Sequence, residues 1–328
     1  MKIGVIFTGG TIGSQKGENG IAPSKEAPLR LLRDYAARTG DAYCFETAGP
    51  DAILSENLTF AHICSVAAHV RAKMDEWDGI IVTHGTDTLQ YTGAALGYIF
   101  GLSSKPVVLV SANYPLDDAR SNGLDNFCAA VAFLRAVPEA KGVFTAYRNR
   151  GESVRIHRST RILAHHALDD VVFSLHGTIA TVEGECVTLT QGYTELADEQ
   201  SPMSEASLST VEGRILRLIA YPGMRYPTLE GVTAVLLETY HSGTVATASP
   251  ALRRFAERAK EAGVPILLAG VPTGGTPYAS GSAYGALGFS SLPPIAPISA
   301  YMKLCLTLSD GRDPAQALSL PLGGDLSF

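Results

Sequence analysis

Two short runs combine glycines with hydroxyl side chains in a way that could support nucleophilic chemistry. The first spans residues 8–14 (TGGTIGS), and the second spans residues 84–88 (HGTDT). Glycines permit a tight turn and a close approach of backbone N–H donors to a ligand. Thr11 could therefore act as a nucleophile beside backbone donors that stabilise an oxyanion. Taken alone, the first run is also compatible with a phosphate-binding loop or with an ordinary turn capped by threonine.

The second run adds a carboxylate to two hydroxyl groups. Thr86 and Asp87 could form a polar site for a small zwitterion, with Asp87 binding an ammonium group. Capping of a helix by Thr86 or Asp87 is the competing interpretation, because both residue types are favoured at helix N-termini.

Both runs fall at points where a buried strand is predicted to end. Short apolar runs rich in Val and Ile predict strands buried on both faces at residues 3–7, 79–83, 106–111 and 142–146. Amphipathic stretches at 59–77, 88–100 and 122–134 predict helices between them, the first with Thr59 as its N-cap. Such alternation is typical of a parallel sheet with crossover helices, in which ligands bind at the carboxyl ends of the strands.

The length of 328 residues suggests about two domains. A polar, Ser-rich and aperiodic stretch at 188–213 is predicted to be a linker. It would separate an N-terminal α/β catalytic domain, residues 1–187, from a smaller C-terminal α/β domain, residues 214–328. In the latter, strands are predicted at 232–237 and 264–268, and helices at 249–263 and 298–308.

Composition excludes several other classes of protein. The 26 Lys and Arg residues against 32 Asp and Glu give a net charge of −6 without a basic stripe, which argues against nucleic-acid binding. The uncharged stretch 264–302 is interrupted too often by Gly, Pro and Ser for a membrane helix. Five scattered cysteines and an N-terminus without a signal-peptide pattern indicate a cytoplasmic protein. His165 and His166 lack a third ligand, so no metal site is predicted and solvated or core histidines are expected.

The two runs together carry a more specific signal. With the segment 105–117 (KPVVLVSANYPLD) and RSNG at 120–123, their order and spacing resemble the bacterial-type L-asparaginase family. Weaker similarity continues at 221–223, 239–244 and 278–281. The resemblance implies a two-domain α/β amidohydrolase that converts L-asparagine to L-aspartate and ammonia without a cofactor. It also implies a small amino-acid amide as substrate and self-association as a homodimer or homotetramer.

By motif match, the resemblance implies roles for individual residues. Thr11 would be the nucleophile, Thr86 the second threonine, and Asp87 the group that binds the substrate amino group. Ser55 would contact the substrate carboxylate, and Ala112 would place a backbone carbonyl near the amide. The same runs contribute the remaining predicted substrate-binding residues: Gly10, Glu56 and Gly85.

The sequence departs from the family pattern at the proton-transfer groups. The family carries a catalytic tyrosine on a loop, but residues 17–24 contain none, and the candidate replacements are Tyr114 or a loop from another subunit. Arg161 stands where the family has a lysine base. A guanidinium stays protonated, so it can stabilise an oxyanion but cannot accept a proton. Thr244 replaces an Asn that some members use to reach a neighbouring site. Hydrolysis of another small amide, or amino-acid binding without catalysis, are therefore kept as alternatives.

Overall fold

A computed structural model describes residues 1–326 apart from 18–19, 25, 42, 44, 167, 191–199, 275 and 277. The strands of this described part are β1 (Ile3–Phe7), β2 (Ser14–Gly17), β3 (Gly20–Pro23), β4 (Glu46–Ala48), β5 (Gly79–Thr83), β6 (Val107–Val110), β7 (Val143–Tyr147), β8 (Val154–Arg158), β9 (Ala180–Glu183), β10 (Cys186–Leu189), β11 (Ile215–Ile219), β12 (Ala234–Glu238), β13 (Ile266–Ala269) and β14 (Phe289–Ser291). Its helices are α1 (Ala27–Thr39), α2 (Phe60–Lys73), α3 (Leu89–Phe100), α4 (Gly123–Ala136), α5 (Pro250–Glu261), α6 (Pro297–Ser309) and α7 (Pro314–Ser319).

The described strands form one large sheet, one smaller sheet and a hairpin. The large sheet has the order β10-β9-β8-β7-β6-β5-β1-β4. Strands β4, β1, β5, β6 and β7 pair in parallel, whereas β7, β8, β9 and β10 pair antiparallel. The smaller sheet, β11-β12-β13-β14, is parallel throughout, and β2 pairs with β3 as an antiparallel hairpin. The predicted α/β class with a large and a smaller parallel-sheet unit is confirmed.

The central strands of the large sheet are covered on both faces. Every residue of β5 and β6 is buried. Ile80 and Val82 pack in the cluster that contains α2, α3 and α6, while Ile81 packs in the cluster that contains α1 and α4. This alternation follows from the two-residue period of a strand and explains why these strands are continuous apolar runs.

The predicted helices form with small differences at their ends. Thr59 caps α2 by accepting a hydrogen bond from the His62 backbone N–H, as the sequence predicts. The helix ends at Lys73, earlier than the predicted residue 77. In the smaller unit, the side chains on one face of α5 pack against the sheet: Leu252, Phe255, Ala256 and Ala259. No helix among the described residues is long and apolar enough to cross a bilayer.

The predicted linker lies partly outside the described residues. Residues 191–199 of the stretch 188–213 are not described, and Leu189 still belongs to β10. Farther along, Met203, Leu208 and Val211 are buried in the cluster that joins α2 and α6. This part of the chain therefore packs against both units, and the domain boundaries at 187 and 214 stay a prediction.

Candidate active site

The predicted site residues follow four neighbouring strands of the large sheet. Thr11 opens a 3-10 turn after β1, and Ser55 opens another after β4. Thr86 opens a third turn after β5, and Ala112 follows β6. Because β4, β1, β5 and β6 are consecutive in the sheet and parallel, their carboxyl ends meet at one edge. The fold thereby collects segments that are far apart in the sequence.

Glycines allow three of these segments to touch. A Cβ added at Gly10 would lie 2.3 Å from the backbone of Gly85, and one added at Gly85 would lie 2.3 Å from the Ser55 Cβ. Gly9 and Gly10 also have φ values of +98° and +72°, which strain any residue with a side chain. The glycine positions that the motif comparison selects are thus required by backbone geometry.

Hydrogen bonds fix the polar groups of the turns that begin at Ser55 and Thr86. The Ser55 hydroxyl donates to Asp87 Oδ2 over 3.1 Å, and the Thr88 hydroxyl donates to the Ser55 carbonyl over 3.0 Å. The Thr86 hydroxyl donates to the Ala112 carbonyl over 3.0 Å. Asp87 itself is exposed, so its carboxylate is accessible to a positively charged group.

The turn that carries Thr11 is held in place by backbone contacts. The Gly10 N–H donates to the Ile53 carbonyl over 3.0 Å, and the Ser14 hydroxyl donates to the Gly10 carbonyl over 2.7 Å. Thr11 is partly exposed, whereas the following Ile12 is buried. Thr11 therefore lies, partly exposed, in a turn that hydrogen bonds hold in place.

Two further residues near the site differ in exposure. Glu56, in the same 3-10 turn as Ser55, is exposed. His84 is buried, and its Nδ1 lies 2.9 Å from the Gly85 carbonyl oxygen. Burial lowers the pKa of His84 below its usual range, with only partial compensation from this hydrogen bond. A neutral His84 thus supports the turn rather than carrying charge.

Arg161 interacts with the C-terminal segment. It ends a 3-10 turn after β8, and its Nε donates to the Gly324 carbonyl. Burial lowers the pKa of the guanidinium, and the nearby charge of Asp325 raises it. The side chain is thereby anchored to the C-terminal segment.

The tyrosine-free loop and the candidate replacement Tyr114 both follow strands of the large sheet. Part of the tyrosine-free loop at 17–24 forms the β2–β3 hairpin, with residues 18–19 outside the described chain. Tyr114 follows Ala112 by two residues, and the Arg120 guanidinium lies 4.0 Å from its ring centroid. Arg120 is also paired with Asp118. The ring of Tyr114 is therefore held by a cation–π contact in the loop after β6.

The remaining sequence candidates lie outside this cluster. Thr244 belongs to a turn after β12, where the Tyr240 N–H donates to its carbonyl. Residues 273–276 repeat the TGGT letters of residues 8–11, and this second TGGT run begins at exposed Thr273, with Gly275 outside the described residues. In the described chain, no group of three or more His, Cys, Asp or Glu side chains could hold a metal ion.

His165 is a residue that sequence reasoning assigned to solvent or core. It is partly buried, and burial lowers its pKa, with partial compensation from a hydrogen bond to the Val171 backbone and from the negative charge of Asp87. The electrostatic effect of Asp87 places His165 in the neighbourhood of the predicted site. A sequence signal was available: a histidine four residues after Arg161, close to the position where the family pattern expects a base.

Comparisons with known proteins agree with this geometry. The family model described as "Asparaginase, N-terminal" matches residues 2–194. L-asparaginase 1 of Escherichia coli K12 is 29% identical over 166 residues, which cover 50% of this chain and 47% of that protein. This alignment thus spans about half of that relative's length. A glutamyl-tRNA(Gln) amidotransferase subunit from Pyrobaculum aerophilum is 26% identical over 345 residues, covering 99% of this chain and 80% of that protein.

A solved structure extends the similarity over the whole fold. The thermostable L-asparaginase from Thermococcus kodakarensis superposes with a TM-score of 0.81 at 24% identity, covering 100% of both chains. At this identity, the superposition establishes a shared fold.

Proposed function

Since this chain belongs to the asparaginase family of amidohydrolases, we propose that it hydrolyses the side-chain amide of L-asparagine to L-aspartate and ammonia. The observation that carries the proposal is the contact of Gly10, Ser55 and Gly85 at one edge of the sheet. This contact brings the turns of Thr11 and Asp87 against each other. A hydroxyl nucleophile beside a carboxylate suits an amino-acid amide.

Each polar group has a proposed task in binding. The Asp87 carboxylate binds the substrate ammonium group, which competes for the oxygen that now accepts from Ser55. Ser55 then turns its hydroxyl toward the substrate carboxylate. The Ala112 carbonyl lies within reach of the Thr86 hydroxyl and accepts a hydrogen bond from the amide N–H₂. These contacts orient the amide carbon toward Thr11.

The reaction proposed for Thr11 is a double displacement. Its hydroxyl oxygen attacks the amide carbonyl carbon, and an ester to Thr11 forms as the C–N bond breaks and ammonia leaves. Water then attacks the ester carbon and releases the product acid. Backbone N–H groups of the glycine-rich turn stabilise the negative oxygen in both halves.

The test is ammonia release from purified protein with L-Asn, L-Gln and D-Asn. We expect turnover of L-Asn by the unaltered chain and a loss of at least about 100-fold in kcat for Thr11→Ala, because the nucleophile is removed. Thr11→Ser should retain part of the activity. Thr276→Ala is the matched control, since Thr276 is the exposed threonine of the second TGGT run.

The outcomes separate the alternatives. Ammonia from L-Gln in preference to L-Asn would favour a glutamine amide as substrate, in keeping with the similarity to an amidotransferase component over 99% of this chain. No ammonia from any of the three amides would contradict the proposal. Thermal unfolding with a panel of amino acids would then show whether this chain binds one of them without catalysis. A ligand that binds the native state raises the midpoint of thermal unfolding.

Three broader features are part of the same proposal. The protein self-associates as a homodimer or homotetramer, divides into units 1–187 and 214–328, and works in the cytoplasm. Light scattering of the purified chain measures the first, and limited proteolysis within 188–213 measures the second.

A further inference from the structure

A buried imidazole nitrogen lies next to the candidate site without a partner. Within the described residues, His165 Nε2 is buried and has no hydrogen-bond partner. Its neighbour His166 is exposed. Buried polar atoms are nearly always paired, and a catalytic role is one of the explanations for an exception. The unpaired nitrogen is therefore a candidate acceptor for a proton from a bound substrate or a catalytic hydroxyl.

The loop that carries His165 is anchored beside the Thr86 partner. The Leu163 N–H donates to the Phe173 carbonyl over 2.9 Å and closes the loop at its base. Asp170 Oδ2 accepts from Asn113 Nδ2 over 3.4 Å. Asn113 directly follows Ala112, whose carbonyl accepts from Thr86. The loop is thus tied to the strand end that forms one wall of the site.

A second anchor restrains the same loop from the other side. The Val172 N–H donates to Asn149 Oδ1 over 2.9 Å, and Asn149 Nδ2 donates back to the Val172 carbonyl over 3.2 Å. Asn149 is buried, so this reciprocal pair is protected from water. Hydrogen bonds at Leu163 and Val172 therefore anchor the described chain on both sides of His165.

The electrostatics around the ring suit a proton acceptor. Burial lowers the pKa of His165 from its usual range, and His166 lowers it slightly further. A hydrogen bond to the Val171 backbone and the charge of Asp87 raise it. The ring is therefore neutral at pH 7, and its protonated form gains stabilisation from Asp87. A neutral imidazole whose protonated form is stabilised by a carboxylate is suited to general-base catalysis.

We propose that His165 is the proton-accepting group of this site and takes the role for which the side chain of Arg161 is unsuited. The inference rests on the proposed amide hydrolysis. Arg161 remains a cation and is bound to the Gly324 carbonyl. His165 has an unpaired nitrogen and interacts with Asp87.

The proton balance closes with this one group. As Thr11 attacks, its hydroxyl proton passes to the Thr86 oxygen, and the Thr86 proton passes to His165 Nε2 after the Thr86 O–H rotates away from the Ala112 carbonyl. The imidazolium gives its proton to the departing nitrogen, which leaves as ammonia. In the second half, Nε2 takes a proton from the attacking water through Thr86. That proton returns to the Thr11 oxygen as the ester bond breaks.

The test compares His165→Gln with His166→Gln in the ammonia assay from pH 4.5 to 8.5. For the unaltered chain, kcat/KM should fall on the acid side with an apparent pKa below about 6.5, because protonated His165 cannot accept a proton. His165→Gln should lower kcat by about 100- to 10,000-fold, the range for loss of a general base, and should abolish the acid limb. His166→Gln should keep both the kcat of the unaltered chain and its fall of kcat/KM at acid pH.

A smaller variant gives an independent readout. In His165→Ala, added imidazole should restore part of the lost activity, which a merely structural role of the side chain would not permit. Circular dichroism and the thermal midpoint check that each variant is folded. If neither variant folds, the pH profile of the unaltered chain decides: a kcat/KM that is flat from pH 4.5 to 7 would overturn the proposal.

Failure of the two proposals can be told apart. An unaltered chain that releases no ammonia overturns the amide hydrolysis and this inference with it. An active unaltered chain together with a fully active His165→Gln variant overturns the role of His165 alone.

Discussion

At the scale of single residues, the site is defined by which groups can change their protonation state. Arg161 remains a cation because its ordinary pKa is far above neutrality and burial shifts it only partly. His165 is neutral and interacts with Asp87. Thr11 and Thr86 contribute hydroxyl groups that need such an acceptor. In the proposed mechanism, His165 supplies the proton acceptor that Arg161 cannot be.

A second buried histidine makes stability depend on pH. His157 lies on β8 with its Nδ1 2.9 Å from Ser174 Oγ, and burial lowers its pKa to about 4. Between about pH 6.5 and pH 4 the unfolded chain binds a proton that the folded chain does not bind. The stability that depends on neutral His157 is therefore fully present above pH 6.5. It is lost as the pH falls toward 4, by about 3 kcal/mol in the free energy of unfolding.

The measurement is urea unfolding at pH 7.5 and pH 4.5. The unaltered chain should lose more of its free energy of unfolding between these pH values than His157→Gln. His166→Gln, at an exposed position, should behave like the unaltered chain. An identical pH dependence for His157→Gln and the unaltered chain would refute the assignment.

At the scale of elements, α3 is packed unusually closely to the turn that ends in Arg161. A Cβ at Gly93 would lie 3.0 Å from the Ser159 Cβ, and one at Gly97 would lie 2.4 Å from Thr160 Cγ2. Thr160 cannot easily move, because its hydroxyl donates to the Gly323 carbonyl over 2.8 Å. The small residues of α3 thus let the turn after β8 reach the helix that begins beside Thr86 and Asp87.

Gly97→Ala should destabilise the protein in spite of the better helix propensity of alanine. The propensity gain is up to about 1 kcal/mol, whereas overpacking against a fixed neighbour costs about 1–3 kcal/mol. Thermal or urea unfolding of the variant measures the net effect. Gly285→Ala, where an added Cβ meets nothing within 4 Å, is the control.

A second substitution identifies the cause. Adding Thr160→Ser to Gly97→Ala removes Cγ2 and keeps the hydroxyl donor, so part of the lost stability should return. If the double variant is no more stable than the sum of the two single effects predicts, contact with Cγ2 is not the source of the loss.

At the scale of the whole molecule, the C-terminal segment ties the two halves of the fold together. Lys303 of α6 and Asp325 form an ion pair of 2.6 Å in which both side chains are fully buried. Asp325 also accepts from the Tyr98 hydroxyl of α3 over 3.1 Å and from the Leu322 N–H over 3.0 Å. The chain end is thereby bound to α3 and α6, adjacent to the segment that receives Arg161.

Asp325→Asn should lower the free energy of unfolding by about 3–5 kcal/mol, because it removes the charge that compensates buried Lys303. Urea unfolding near neutral pH measures the loss. Glu152→Gln, which breaks the exposed pair with Arg155, is the control and should cost less than about 1 kcal/mol. Equal effects of the two substitutions would show that burial of the Lys303 pair adds nothing.

Much of the central fold follows from local sequence. The run at 3–7 forms β1 with the predicted ends, and Thr59 caps α2 as expected, because apolar runs and capping side chains act over a few residues. The antiparallel strands β8, β9 and β10 were not predicted. They lie at one side of the sheet, where β9 and β10 are partly exposed and carry mixed polar residues, so their pairing partners depend on chain topology.

In the candidate site, too, some features follow from local sequence and others only from the folded chain. Local sequence identifies the segments that carry chemistry, since glycines beside threonines at strand ends form a pattern a few residues long. Three long-range interactions emerge only from the folded chain: Ser55 bonds Asp87, Arg161 bonds the Gly324 carbonyl, and the charge of Asp87 acts on His165. These interactions join residues separated by 32, 163 and 78 positions. They depend on the order of strands in the sheet and on the path of the chain end, which no local pattern encodes.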